Sequence, residues 1–233
     1  MALPLLKTPE HELIVPSTGE KLKYRPFLVG EEKTLLLALE GGQDKDISEA
    51  VMQTVRNCTF EKFDVTKAPM FDIEYIFLKI RTKAAGSKQE VKLLCPDDGE
   101  TYAVTEIDLD TVEVFYPEGH DNNIKLTDDI GLIMDYPSID MTADLMKVNA
   151  DTAWTIIKRC IRQIYDAENV HNREDMNEKE LDDFMSQLDA TMFKKIEQFF
   201  NTTPRLKHTV KVKNPKTNVE SDITLEGLQN FFG

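Results

Sequence analysis

The sequence predicts an α+β protein: helices packed with several antiparallel β-hairpins, and no parallel βαβ sheet. Three observations carry this. At three places apolar and polar residues alternate on both sides of a proline-containing turn, as in half-buried hairpins. Elsewhere apolar residues recur at spacings of three and four, as on a helix with one buried face. The two kinds of segment never fall into the repeating strand–helix–strand order that a parallel sheet needs.

Leu13 and Val15 precede Pro16-Ser17-Thr18-Gly19, and Leu22 and Tyr24 then alternate with Lys21, Lys23 and Arg25, which makes a first hairpin. Pro26 and Gly30 bracket a corner of Phe27, Leu28 and Val29. Glu31 and Glu32 open a helix, where acidic side chains complement the macrodipole, and Gly41-Gly42 stops it. Asp46 starts a second helix with Ile47, Ala50, Val51, Thr54, Val55 and Cys58 on its buried stripe. Pro69 introduces a third over residues 70–81, on the spacing of Phe71, Tyr75 and Leu78. Its β-branched and aromatic content leaves a strand as the alternative.

From Gln89 the period changes to two. Val91 and Leu93 lead into Cys95-Pro96-Asp97-Asp98-Gly99, and Tyr102 and Val104 return. Ile107, Leu109, Val112 and Val114 continue an extended run. Asp140 to Asp144 opens the strongest helix, with a stripe of Met146, Ala150, Ala153, Ile157, Cys160 or Ile161, and Ile164. Residues 167–176 read as a solvated connector. Asn177 with Glu180 forms a capping-box start, followed by Leu181, Phe184, Met185 and Leu188. Residues 191–200 form the last helix, and Val210 and Val212 turn at Asn214-Pro215 and return through Ile223 and Leu225. The second and third hairpins share an order of elements, which reflects either a duplication or what two hairpins must look like. The expected segments are 1–85, an acidic β segment at 86–127, and 128–233, folding as one unit or two.

Composition narrows the function. The chain has 233 residues, is 30% charged and carries a formal net charge of -14. No apolar run approaches the roughly 20 residues a membrane span needs. Three scattered cysteines, Cys58, Cys95 and Cys160, fit a reducing compartment. Between Asp97 and Asp151 there are fifteen Asp or Glu against Lys125 and Lys147. From Phe193 to Thr217 there are seven Lys or Arg against Glu197 alone. This polarity either steers association with a complementary surface or a second copy, or merely solvates two faces. The overall acidity argues against specific nucleic acid as a partner.

Chemistry-bearing motifs are missing. Cys95-Pro-Asp-Asp-Gly stands where a zinc knuckle would carry a second cysteine, but a structural zinc needs four convergent thiolates or imidazoles. His11, His120, His171 and His208 stand apart and read as solvated or capping residues. Asp128-Asp129 and Asp182-Asp183 are adjacent and so point to different faces. No enzyme activity, cofactor, metal or small-molecule substrate is expected. What remains is surface for partners: Phe27 at the corner, Leu36 in a leucine run too wide for one helix face, the basic Lys194, Lys195, Lys211 and Lys213, and Phe231 and Phe232 at the end. The two phenylalanines either cap the last hairpin's core or anchor in a neighbour. The core is favoured, because Val210, Val212, Ile223 and Leu225 need a lid.

The run from Val15 to Leu39, with its Pro-Ser-x-Gly turn, Lys-x-Arg-Pro-Phe and acidic helix start, resembles the baseplate hub and tail-assembly proteins of T-even-like contractile-tailed bacteriophages. Residues 91–99 and 224–233 carry further likeness. The resemblance implies an assembly protein in the host cytoplasm that nucleates the hub or escorts a hub or tape-measure component. It implies other baseplate or tail proteins, or a second copy, as partners. A permanent subunit of the virion baseplate is the alternative, and an enzyme with a site assembled from distant residues is a further one.

Overall fold

The first hairpin pairs β1 (His11–Ile14) with β2 (Lys21–Tyr24), Leu13 opposite Leu22. The computed structural model describes residues 7–138, 141 and 150–231. After Pro26 come α1 (Val29–Gly41), α2 (Asp44–Cys58) and α3 (Met70–Ala85). The third segment is therefore a helix, not a strand. β3 (Lys88–Leu94) pairs with β4 (Tyr102–Asp108), and β5 (Glu113–Phe115) follows. β10 (Arg205–Lys213) lies between β11 (Glu220–Glu226) and β5 in a three-stranded antiparallel sheet.

These elements make one compact unit, residues 1–115 with 205–233; residues 116–204 make a second. The division does not follow the expected boundaries at 85 and 127. The last hairpin returns to the first unit because β10 needs β5 as its second neighbour and α3 as cover. In that unit Leu78 of α3, Val91, Ile107, Leu109, Val112, Leu206, Val212 and Leu225 form one apolar cluster, closed by Phe231. Glu74 of α3 fixes the closure by accepting the Leu228 amide at 3.0 Å.

Three hairpin tips of the first unit share one construction: Val15-Pro-Ser-Thr-Gly19, Cys95-Pro-Asp-Asp-Gly99 and Asn214-Pro-Lys-Thr-Asn218. In each, the first residue is buried and its carbonyl accepts from the fifth residue's amide, at 2.8, 3.0 and 2.9 Å. The fifth residue has positive φ, 72°, 66° and 62°, which glycine adopts without cost and asparagine tolerates. The fourth residue's side-chain oxygen (Thr18, Asp98, Thr217) accepts from the amide two residues on. The likeness between the last two hairpins thus extends to the first. Asp97 also accepts from Asn214 Nδ2 at 2.9 Å and from the Thr217 hydroxyl, so two of the tips are tied together.

The second unit is built on a four-stranded antiparallel sheet in the order β6 (Asn123–Lys125), β7 (Gly131–Met134), β8 (Ile161–Tyr165) and β9 (Val170–Asn172). Helices α4 (Ala150–Cys160), α5 (Glu178–Met185) and α6 (Ala190–Asn201) accompany it. Its core joins Leu132, Met134, Ile157, Cys160, Ile161, Leu181, Met185, Ile196 and Phe199. Two expectations are corrected here. The long helical stripe ends at Cys160, and Ile161 and Ile164 belong to a strand, because β7 takes β8 as its partner. The connector at 167–176 contains β9, which pairs Val170 with Tyr165. The expected helix start at Asp140 and the stripe residue Met146 lie outside the described residues. The capping box at Asn177 is present in both directions, each bond 2.9 Å.

Candidate partner-binding surface

α1 is held at its first turn by a clamp that starts at Arg25, just after β2. Arg25 Nη2 lies 2.6 Å from Glu31 Oε1 and Nη1 lies 3.2 Å from Oε2, a two-pronged pair with both side chains largely buried. The Arg25 amide donates to the Cys58 carbonyl at 2.9 Å, which brings in the end of α2. Glu31 Oε2 also takes the Leu28 amide at 2.6 Å, so one carboxylate both caps the helix and pairs with the cation. Burial works against that charge, yet the Arg25 guanidinium and the Leu28 amide hold Glu31 below the usual carboxylate range. Burial pushes the neighbouring Cys58 thiol up to about 12, so it stays protonated. At the other end Gly42, φ 65°, turns its amide back to the Ala38 and Leu39 carbonyls.

The clamp fixes α1 without burying it. No residue of α1 is buried, and Val29, Leu36, Leu37 and Leu39 are 80, 54, 57 and 58% exposed. Only Glu31, Leu35 and Ala38 are partly covered, which leaves Leu36, Leu37 and Leu39 exposed. Large apolar residues recur all round α1 between Glu32, Lys33, Thr34 and Glu40, so no face of it is wholly polar. A second apolar patch lies on the outer face of the β3–β4 hairpin, where Leu94 stands opposite Tyr102 with Val104 beside it. Leu93 pairs with Ala103, so the inward set of β4 is Ala103, Thr105 and Ile107 rather than Tyr102 and Val104.

The expected partner residues divide. Leu36 lies on the outward face of α1, and Phe27 is half-buried at the corner before it. Phe231 is fully buried, which removes it from any surface; Phe232 lies outside the described residues. Lys194 is exposed, but Lys195 donates its ammonium to the Lys125 and Leu126 carbonyls at 2.7 and 3.0 Å. Lys211 and Lys213 are exposed on β10 and face Asp222 and Glu220 across the strand pair. Arg205 and Lys207 both reach Glu226. The β10 part of the basic run therefore lies beside the acidic residues of the returning strand, which offset part of its charge. Leu37 belongs to the expected leucine run, whereas Leu39 and Tyr102 were missed as surface. For Leu39 the available signal was a helix with no wholly polar face.

Catalytic geometry is not evident around the histidines. His120 is neither solvated nor capping: it stacks on Tyr136 and Phe199, with Nε2 3.0 Å from Tyr136 Oη and Nδ1 2.9 Å from Thr202 Oγ1. Burial lowers its pKa. Among the described residues no group of three or more His, Cys, Asp or Glu is placed to hold a metal, and no helix is long and apolar enough to cross a membrane. No curated protein and no solved structure matches the chain. A family model described as T4 bacteriophage base plate protein matches residues 8–233, which include both units and the whole of α1. The chain belongs to the T4 bacteriophage base plate protein family.

Proposed function

We propose that the protein acts by protein–protein binding during assembly of the phage base plate, nucleating the hub or escorting a hub or tape-measure component in the host cytoplasm, and not by catalysis. One observation carries this reading: α1, clamped in place, turns Val29, Leu36, Leu37 and Leu39 outward. Burying a leucine side chain yields about 1.5–3 kcal/mol, so four such residues left in water mark a surface made to be covered. A base plate is an assembly of proteins, and membership of the family supplies the setting in which that cover is another protein.

The test is made in infected cells. Leu36→Asp puts a charge on this face at a position more than half exposed, so the chain should fold normally while tails fail to assemble. Mass spectrometry of purified wild-type particles then separates the two roles. An escort is absent from the particle or far below stoichiometry, whereas a permanent subunit is present at a fixed copy number. Normal tails from the Leu36→Asp variant would remove α1 from the account.

A further inference from the structure

We infer that the occupant of α1 is the same helix of a second copy, packed antiparallel about a two-fold axis between Leu36 and Leu37. The inference rests on α1 being a protein-binding surface and names its partner. The reason is the placement of charge. Of the residues facing outward, Lys33 and Glu40 are opposite in sign, share the middle of the face, and stand equally far on either side of that midpoint. In an antiparallel pair residues on the midline of the face meet the one equally distant beyond the axis, so Lys33 of each copy meets Glu40 of the other, while flank residues beside the axis meet their own counterparts. One surface thereby supplies both halves of two ion pairs, as a two-fold interface requires. Leu36 then meets Leu36 on one flank of the axis and Leu37 meets Leu37 on the other. Glu32 lies on the Leu36 flank, off the midline that carries Lys33 and Glu40. Glu31 is already taken by Arg25 and faces away. A partner of unrelated sequence would give no reason for this symmetry.

Size sets the strength. Thirteen residues make a helix of about 20 Å. Two such helices bury less than the roughly 1,000 Å² that a lasting interface clears. The pair is therefore expected to dissociate at micromolar concentration, unless the base plate adds contacts.

The experiment is sedimentation of the full chain across the micromolar range. Wild type should dimerise reversibly. Lys33→Glu should weaken the dimer at least about tenfold by opposing two acids, and Lys33→Glu with Glu40→Lys should restore it to within about threefold. Circular dichroism on each variant establishes that the fold is kept. A chain that stays monomeric throughout, while Leu36→Asp still blocks tail assembly, overturns the self-pairing and leaves α1 as the contact for a different protein. A dimer indifferent to both Lys33→Glu and Leu36→Asp places the interface elsewhere and overturns the inference. A Leu36→Asp variant that changes neither dimer nor tails overturns both readings.

Discussion

α1 and α3 belong to the same unit, have 13 and 16 residues, and are both rich in large apolar side chains, yet α3 buries eight residues and α1 none. In α3 the apolar residues Phe71, Ile73, Ile76, Phe77, Leu78 and Ile80 meet hairpins and α2 on several sides. In α1 the leucines run round the helix while the unit offers cover on one side only. Apolar content therefore says that a helix will be covered, and not by what. For α3 the cover is within the chain; for α1 the outward leucines are left exposed, and their cover is the partner proposed above.

The difference between the two helices is greatest at Phe231. It is the lid on the cluster that includes Leu78, with no exposed surface. Phe231→Ala should cost about 3–5 kcal/mol in chemical denaturation. A loss below about 1 kcal/mol, the size of an ordinary surface effect, would mean that α3 is covered in some other way, and the contrast with α1 would fail.

The next effect belongs to Asp72, the one carboxylate among the buried residues of α3. It accepts the Ser17 amide at 3.0 Å and the Ser17 hydroxyl, which ties the tip of the first hairpin to the helix. Burial raises its pKa from 3.8 to about 6 against those bonds. Between these values the native chain keeps a proton that the unfolded chain has released, so stability falls as pH rises through the window. Each pH unit of that window is worth about 1.4 kcal/mol, so the loss approaches 2–3 kcal/mol by pH 7. Asp72→Asn should flatten that part of the curve of stability against pH and gain most above pH 6. A curve with the same slope in the variant would assign the dependence to other groups.

A smaller effect is expected at the clamp. Arg25→Met leaves Glu31 with the Leu28 amide as partner but without its cation, and should cost about 1–3 kcal/mol. The Glu31 contribution has the opposite sign to that of Asp72: it is present above the unfolded carboxylate pKa and fades as pH falls through the lowered folded one. Wild type should therefore lose stability on acidification below pH 4.5 in this respect, and Arg25→Met should not. Identical acid limbs would show that the pair does not hold α1.

Much of this was legible in the sequence, and the gaps have physical causes. The hairpins, the helices of the first unit and the capping box at Asn177 rest on local signals: period, turn residues and caps. The α+β class followed from those signals alone. The sheet of the second unit was missed because its strands are short, and because Ile157, Cys160 and Ile164 fit helical spacing as well as strand pairing; only the need of β7 for a neighbour decides. The burial of Phe231 follows from four apolar residues that lacked a lid, and was readable. The partial offset of the basic run was not, since a count that stops at Thr217 excludes Glu220, Asp222 and Glu226 on the returning strand. For α1 the sequence showed Leu36 in a run too wide for one face; that the unit leaves it uncovered is a property of the packing.

The smallest stability effect tests the comparison most directly. Leu36 is more than half exposed, so Leu36→Asp should change the stability by no more than about 0.5 kcal/mol, as surface substitutions usually do. The same exchange at Leu78, fully buried in α3, places an unpaired charge in the core and should abolish folding. The two leucines differ only in what surrounds them. If Leu36→Asp instead destabilised the isolated chain at low concentration, α1 would have a cover within its own chain, and the case for a binding surface would fall. If the loss grew with protein concentration in the wild type only, the stabilisation would come from association. Mass action requires that pattern when a second copy covers the helix, because binding to the folded state alone raises its stability with concentration.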